Sequence, residues 1–219
     1  MYNQYMNADE LIIRLDLIDS TEMSNHQKRS NYITLISQAF RYDNVDHIKQ
    51  IINRIELTRD EIIQSDALKE SLNGAKDNIE YLIETYEFKP DDIRVPEDFQ
   101  VFNLHQINMC LLIEKRVELS LKYVYNLIYS LSKNGFIDQV IYLIDKYEVI
   151  YSTIGIVQLI ENLIRSDSID INKIITHNIC QQITGIFLEM LISSALSCDK
   201  IGIAQLVLMR LVLIKLICF

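Results

Sequence analysis

Glycine and proline are scarce in this chain of 219 residues, which has five glycines and two prolines. All-β proteins and Rossmann-type α/β proteins need such residues at frequent turns, so the scarcity argues against both classes. Leucine and isoleucine dominate instead, at spacings of three and four residues that are typical of amphipathic helices. Because 49% of the residues are hydrophobic and 23% are charged, the chain can bury a large core. The sequence therefore predicts an all-α fold.

Groups of residues that would support catalysis or metal binding are also missing. The histidines His26, His47, His105 and His177 have no second His or Cys at a metal-ligand spacing. His177 and Cys180 would lie side by side on a helix, but a packed core pair explains that spacing better than a nucleophile does. Each Asn-Gly pair is an isolated turn and not a phosphate-binding loop. We therefore expect no catalytic residue, no metal and no cofactor.

Positive charge is in short supply, since the formal net charge is −9. A phosphate backbone repels such a chain, and no Lys/Arg cluster compensates, so nucleic acid is not an expected partner. The excess of acid lies in residues 1–109, which hold 20 acidic and 11 basic side chains, whereas residues 110–219 hold ten of each. Solvated helix faces explain this excess of acidic side chains. A docking surface for a basic partner is the more specific alternative.

The four cysteines are far apart and form no CxxC pair: Cys110, Cys180, Cys198 and Cys218. They are predicted to be reduced core residues of a cytoplasmic protein, of the producing cell or of a host cell. The N-terminus has early acidic residues and no apolar run of secretory type. The segment 201–219 is almost as long as a membrane span, but Arg210 near its centre would be costly there, so membrane insertion is not expected.

Apolar spacing predicts helices along the whole chain. The first lies near 8–18, and a polar joint follows at 24–29, so residues 1–30 are predicted as a capping helix with its joint. A capping box is predicted where Thr58 is followed by Glu61. Both prolines fall in 88–98, which is the best candidate for a domain joint, and the paired carboxylates beside them are predicted to be turn and helix-cap residues. The sequence thus predicts a helical domain over 31–219.

A repeat of about 31 residues runs through this domain. Ten-residue windows recur with near-constant spacing, and they begin at Asp43, Gly74, Leu104, Gly135, Ser166 and Asp199. The sixth position of each window is apolar or small: Ile48, Ile79, Met109, Val140, Ile171 and Ala204. The ninth position is always aliphatic: Ile51, Leu82, Leu112, Leu143, Ile174 and Val207. A helix pair of this length cannot bury its apolar stripe alone, so stacked pairs are expected to share one continuous core.

The repeat resembles the ankyrin repeat, whose helix pair reads roughly Ala-x-x-Asn-Gly-x-x-x-x-Val-x-x-Leu-Leu. Residues 131–144 match this pattern with Asn134, Gly135, Val140, Leu143 and Ile144. The resemblance implies a solenoid of about six helical hairpins that binds another protein. Degenerate repeats of this kind are similar to those of large viral and intracellular-bacterial families, which would make the chain a host-directed factor.

The chain also departs from the ankyrin pattern. No Thr-Pro-Leu-His tetrapeptide and no Gly-Ala-Asp segment occurs, so the β-hairpin fingers are expected to be short or absent. The prolines Pro90 and Pro96 interrupt the third repeat. Tetratricopeptide-like and HEAT-like arrays stay open as alternatives, although their repeats are longer. A compact bundle, such as a Bcl-2-like fold with a C-terminal anchor, is a further alternative.

Two surfaces are predicted to make contacts. Tyrosines cluster in one third of the chain, and tyrosine is enriched at interaction hot spots; the candidates are Tyr123, Tyr125, Tyr129, Tyr142, Tyr147 and Tyr151. The segment from Ile201 is apolar all round, whereas a terminal repeat needs a polar outer face. A homodimer through 201–219 would cover it, with these residues at the interface: Leu211, Leu213, Ile217 and Phe219.

Overall fold

The protein is all-helical in the residues that the structure, a computed structural model, describes: 8–42, 45–93, 103–166, 171–177 and 186–217. Within these ranges it has thirteen α-helices, one 3-10 turn at Pro90–Asp92 and no strand. The all-α prediction is confirmed, and the stacking of the helices as repeats stays a prediction. The chain divides into two compact units. The N-terminal unit comprises Met1–Asp98 and Asn103–Ser120, and the C-terminal unit comprises Phe99–Phe102 and Leu121–Phe219.

Seven helices belong to the N-terminal unit: α1 (Ala8–Ser20), α2 (Asn25–Tyr42), α3 (Val45–Ile55), α4 (Arg59–Gln64), α5 (Ala67–Ser71), α6 (Lys76–Thr85) and α7 (Leu104–Glu114). Helix α2 packs against α1, α3, α4 and α5, and α6 packs against α3, α5 and α7. The core of this unit is aliphatic and includes the fully buried side chains of Ile36, Phe40, Ile48, Ile62, Ile79 and Leu82.

The polar joint predicted at 24–29 is wrong, because this segment begins a helix. The Ser24 hydroxyl accepts a bond from the Gln27 amide at 3.3 Å, and the Ser24 amide donates to Gln27 Oε1 at 3.1 Å. Such reciprocal bonds form a capping box, which satisfies two amides that a helix start leaves unpaired. The capping box predicted at Thr58 and Glu61 is confirmed.

Arg29 joins the start of α2 to the end of α3 and the start of α4. Its guanidinium forms a fork with both carboxylate oxygens of Glu61. It also donates to the carbonyl oxygens of Ile55 at 2.6 Å and Glu56 at 2.9 Å. The arginine thus satisfies two carbonyls at a helix end. Because Glu61 also accepts from the Thr58 amide, one carboxylate holds a helix cap and an arginine together.

Arg59 repeats this arrangement one helix pair later. Its guanidinium donates to the Glu87 carbonyl at 3.0 Å and pairs with the Asp92 carboxylate. Asp92 accepts from the Lys89 amide at 2.8 Å, so the prediction that it acts as a cap is confirmed. We call these two arrangements, centred on Arg29 and Arg59, the arginine clips. Residues 94–98 of the predicted joint lie outside the described part of the chain.

At Gly74 the backbones of two helix pairs in the N-terminal unit approach closely. A Cβ atom at this position would lie 2.4 Å from the Phe40 carbonyl oxygen. The same carbonyl accepts a bond from Asn78 Nδ2 at 3.1 Å, and the Gly74 carbonyl lies 3.0 Å from His105 Nε2. Glycine is therefore required here by backbone contact.

Six helices form the C-terminal unit: α8 (Leu121–Lys133), α9 (Ile137–Lys146), α10 (Thr153–Arg165), α11 (Ile171–Thr176), α12 (Ile186–Ser197) and α13 (Ile201–Ile217). Helix α10 packs against α8 and α12, and α11 packs against α9 and α13. Helices that follow one another in these pairs, α8 with α9 and α12 with α13, also pack together. The odd and even helices thus form two adjoining rows.

The first two helices of each row run in the same direction. In the first row, Asn162 near the end of α10 donates to Ser132 near the end of α8 at 3.3 Å. At the opposite end, the Tyr125 hydroxyl of α8 donates to the Ile150 carbonyl, just before α10, at 2.6 Å. Since like ends are adjacent, α8 and α10 are parallel.

The second row shows the same relation between α9 and α11. Lys173 near the start of α11 pairs with Asp138 near the start of α9 at 2.9 Å. His177, directly after α11, lies 3.1 Å from Asp145 near the end of α9.

Residues with a left-handed backbone conformation follow several helices, and they include residues other than glycine. Gly135 has φ of 78°, and Glu148 and Asp199 adopt φ of 47° and 56° in the same role. After Gly135 the Phe136 amide donates to the Leu131 carbonyl at 3.0 Å, which is the six-residue bond of a Schellman motif. Non-glycine residues at these positions explain how the chain breaks its helices with so few glycines.

Among the described residues, no helix has both the length and the apolar character needed to cross a bilayer.

Candidate interaction surface

The tyrosines predicted to bind a partner do not lie together. Tyr123 is 1% exposed and packs in the core of the C-terminal unit, so it presents no surface to a partner. The others lie at or near the surface: Tyr129 is apart from the rest, and ring and cation contacts define two pairs. Tyr125 and Tyr151 form one group, and Tyr142 and Tyr147 form the other through Lys146.

Tyr125 and Tyr151 build a rigid aromatic corner between α8 and α10. Their rings meet edge to face, with centroids 5.1 Å apart and an interplanar angle of 84°. Burial raises the pKa of Tyr151 above its ordinary range, and the nearby Tyr125 adds to the shift. The bond from the Tyr125 hydroxyl to the Ile150 carbonyl fixes the turn that carries Ile150, whose side chain is 83% exposed.

Lysines cover the remaining tyrosine rings. Lys133 lies 5.2 Å from the centroid of Tyr129 on the exposed side of α8. Lys146 lies 5.7 Å from the Tyr142 ring and 5.3 Å from the Tyr147 ring. These are cation–π contacts at the surface, so the rings present a face that is both aromatic and positively charged.

A row of aliphatic side chains was missed by the sequence prediction. Leu121, Ile154 and Ile186 occupy the first or second position of α8, α10 and α12, and they are 54%, 59% and 67% exposed. The three helices belong to one row, in which α10 packs against both α8 and α12. With Ile150 they form what we call the aliphatic row. The signal in the sequence was an apolar residue at successive helix starts about 32 residues apart, which is easily taken for core.

Side chains of the metal-ligand type do not cluster in the described ranges. No group of three or more His, Cys, Asp or Glu side chains could hold a metal there. Cys110 is buried as predicted, whereas Cys198 is half-buried and free. Cys180 lies outside the described residues, so the predicted pair with His177 is untested.

The side chains predicted to mediate self-association lie outside the described part of the chain. Leu211, Leu213 and Ile217 belong to α13, but their side chains are outside the described part, as is Phe219 entirely. Earlier in α13, the side chains of Ile201, Leu208 and Met209 are at least half exposed.

No protein-family model matches the chain, and no match was found among curated proteins or among solved structures.

Proposed function

We propose that this chain is a non-enzymatic helical-repeat protein that binds a partner protein through the exposed face of α8, α10 and α12. The observation that carries the proposal is the aliphatic row, in which the starts of three helices of one row each expose a large apolar side chain. Contiguous exposed apolar side chains with a polar surround are typical of protein-binding surfaces. The aromatic corner of Tyr125 and Tyr151 supports the row with rigid packing, as hot spots require.

Repeat stacking is supported by spacing. Five segments start at Arg59, Pro90, Leu121, Thr153 and Ile186, at intervals of 31 to 33 residues. Polar contacts follow the same interval: Arg29 to Glu61 spans 32 residues and Arg59 to Asp92 spans 33. Equivalent contacts between consecutive helix pairs are what a solenoid predicts, because each repeat touches its neighbours in the same way.

Binding in an ankyrin-like solenoid without strands would depend on the helices. The described residues contain no strand, so a finger-side surface is not part of the proposal. The parallel helices α8 and α10 instead offer a broad face with apolar anchors at one end and Lys133 and Arg165 at the other. A partner segment with apolar side chains and acidic groups would match this face.

The experiment compares affinity capture by three forms of the full chain from a lysate of the producing or host cell. The test variant replaces Leu121, Ile154 and Ile186 with glutamine. The control is Leu104→Gln, because Leu104 is also the first residue of a helix and is 53% exposed, close to the 54% of Leu121. We expect a protein retained by the wild type and the control to be lost with the test variant.

Binding of that protein is then measured with purified components, and circular dichroism verifies that the variants keep their helicity. An affinity loss of at least tenfold for the test variant alone is expected, since hot-spot truncation costs about 2 kcal/mol or more. Equal binding by all three forms would show that the aliphatic row is not the binding surface.

A further inference from the structure

We propose that Asn134 is a modification site at which the folded chain loses a side-chain amide by spontaneous deamidation, and that its counterpart Asn73 is protected by the fold. The two residues belong to the two Asn-Gly pairs of the sequence, Asn73-Gly74 and Asn134-Gly135. Both asparagines are exposed and lie just after a helix. Their contacts differ, and the proposal rests on that difference.

Deamidation begins when the backbone nitrogen of the glycine attacks Cγ of the preceding asparagine. The new N–Cγ bond closes a cyclic imide, the Cγ–Nδ2 bond breaks, and Nδ2 leaves as ammonia with the proton that the glycine nitrogen gives up. Water then opens the imide at one of its two carbonyls. Opening at Cγ gives aspartate, and opening at the main-chain carbonyl gives isoaspartate. Glycine favours the attack because no Cβ crowds its nitrogen.

Among the described residues, the hydrogen bonds of Asn134 all go to the end of its own helix. Its Nδ2 donates to the Ser130 carbonyl at 2.8 Å, and its backbone amide donates to the Ser130 and Leu131 carbonyls at 3.2 Å. The Gly135 amide donates to the Ser132 carbonyl, also at 3.2 Å. Helix ends open at low free energy, so a local opening at the end of α8 releases the nucleophile and the amide together.

Asn73 is bound to a different helix. Its Oδ1 accepts a bond from Gln106 Nε2 of α7 at 2.9 Å. The Gly74 amide donates to the Ser71 carbonyl at 3.0 Å, and a Cβ at Gly74 would lie 2.4 Å from the Phe40 carbonyl oxygen. Rotation of the peptide bond between Asn73 and Gly74 therefore disturbs contacts with α2 and α7. The reaction at Asn73 needs this larger opening, which is less populated.

Deamidation of Asn134 would weaken the end of α8. In the aspartate product an oxygen replaces the donor beside the Ser130 carbonyl, and its negative charge lies at the negative end of the helix dipole. In the isoaspartate product the backbone gains a carbon atom just before Gly135. The Schellman bond from the Phe136 amide to the Leu131 carbonyl is then lost. The modification thus loosens the turn between α8 and α9.

The same charge is better accommodated at Asn73. An aspartate oxygen there still accepts the bond from Gln106, which lies in the first turn of α7, where negative charge is favourable. Asn134→Asp should therefore lower the midpoint of thermal unfolding, whereas Asn73→Asp should leave it unchanged or raise it. An equal loss in both variants would contradict the role of helix position.

The main test follows both pairs in one sample of the full chain, incubated at neutral pH over weeks. Trypsin places the pairs in separate peptides, 70–76 and 134–146, and mass spectrometry after chromatography distinguishes amide, aspartate and isoaspartate. A sample digested at once shows what the digestion itself adds. We expect Asn134 to react at least tenfold faster than Asn73, the ratio given by a difference of about 1.4 kcal/mol in opening free energy.

The chain unfolded in urea supplies the reference rate, because the contacts of both pairs are then absent. The two asparagines should react there at similar rates. The proposal is wrong if Asn134 reacts no faster than Asn73 in the folded chain. It is also wrong if the folded chain keeps the Asn134 amide over a period in which the unfolded chain loses it.

Gln106→Glu tests the protection of Asn73. The substitution removes the Nε2 donor, while a glutamate oxygen keeps the bond from the Asn103 amide that caps α7. Deamidation at Asn73 should become several-fold faster, and the rate at Asn134 should stay the same, which also verifies that the variant is folded. A slower reaction at Asn73 would show that the bond from Gln106 activates the amide, and the proposed protection would be wrong.

Discussion

At the scale of single residues, Glu61 connects a helix cap with an arginine clip. It caps α4 through the Thr58 amide and forms a fork with Arg29. The bond from Arg29, together with the bonds from Thr58, lowers the pKa of Glu61 from its ordinary value to about 2, against the opposing effect of burial. Removing this carboxylate therefore disrupts a helix start and an arginine clip together.

We predict that Glu61→Gln lowers the free energy of unfolding of the N-terminal unit by about 1–3 kcal/mol at pH 7, since bonds to a charged group are lost. The control is Asp46→Asn, whose pair with Lys49 is exposed and 3.9 Å long, so its effect should be below about 0.5 kcal/mol. Urea denaturation monitored by circular dichroism measures both. Equal effects would contradict a special role for the clip.

The same contact predicts a pH dependence. Because the folded pKa of Glu61 lies below its ordinary value of 4.5, its contribution is complete above pH 4.5 and is lost as the pH falls toward 2. The difference in unfolding free energy between wild type and Glu61→Gln should therefore shrink between pH 5 and pH 2. A difference that stays constant over this range would show that the pair does not hold the carboxylate ionised.

Gly74 and Gly202 should respond to alanine in opposite ways. A Cβ at Gly74 meets the Phe40 carbonyl at 2.4 Å, so Gly74→Ala must move backbone and should cost about 1–3 kcal/mol. Gly202 lies in α13 with no atom within 4 Å of an added Cβ, and Gly202→Ala should stabilise by up to about 1 kcal/mol. Thermal unfolding of both variants checks the signs.

At the scale of helices, the apolar pattern predicted most elements because buried side chains at three- and four-residue spacing specify them. The apolar spacing predicts a helix over 153–165, and α10 has these bounds. The same spacing predicts one helix near 59–72, but the structure has two, α4 and α5, with Asp66 between them in a left-handed conformation with φ of 55°. The apolar residues on both sides of Asp66 do not show this break, after which α5 packs against α2.

The burial of the window positions shows where the repeat pattern matches the core and where it does not. The ninth positions are buried in five of the six windows, and Leu112 of the third window is only half-buried. There the buried residues are Ile107, Cys110 and Ile113, so the core register is shifted. The window was placed at Leu104, the first residue of α7, whereas most windows begin before their helix.

Left-handed helix ends give an element-scale prediction. Glu148 and Asp199 each occupy a position after a helix where φ is positive, and side chains pay for that conformation. Glu148→Gly and Asp199→Gly should each raise the free energy of unfolding of the C-terminal unit by about 0.5–1 kcal/mol. Glycine placed inside a helix, as in Ser193→Gly, should destabilise by a similar amount and is the control in the same denaturation series.

At the scale of the molecule, each compact unit contains its own buried core. Leu163 is fully buried in α10, and Ile62 is fully buried in α4. We predict that Leu163→Ala, at a cost of about 2–5 kcal/mol, speeds amide hydrogen exchange first in α8 to α13, and that Ile62→Ala does so first in α2 to α6. Mass spectrometry of exchanged peptides would contradict this if both substitutions raised exchange uniformly along the chain.

The candidate binding surface was the least predictable part of the chain. Six tyrosines were selected by composition, and the structure places Tyr123 in the core and separates the others into distinct contacts. Leu121, Ile154 and Ile186 were taken for ordinary apolar residues, because sequence spacing does not reveal which apolar side chain at a helix start has no neighbour above it. The exposure of these side chains depends on how the helices pack in rows, and the local sequence pattern does not reveal it.

The two rows of the C-terminal unit also have a mechanical consequence. In the helical-repeat stack proposed above, force applied to the chain ends would reach a helix pair mainly through its neighbours, so pairs would detach one after another. A pair of about 31 residues, once unravelled, lengthens the chain by about 100 Å. Pulled in an optical trap, the protein would act as a low-force spring that yields in equal steps and recoils when the load is removed.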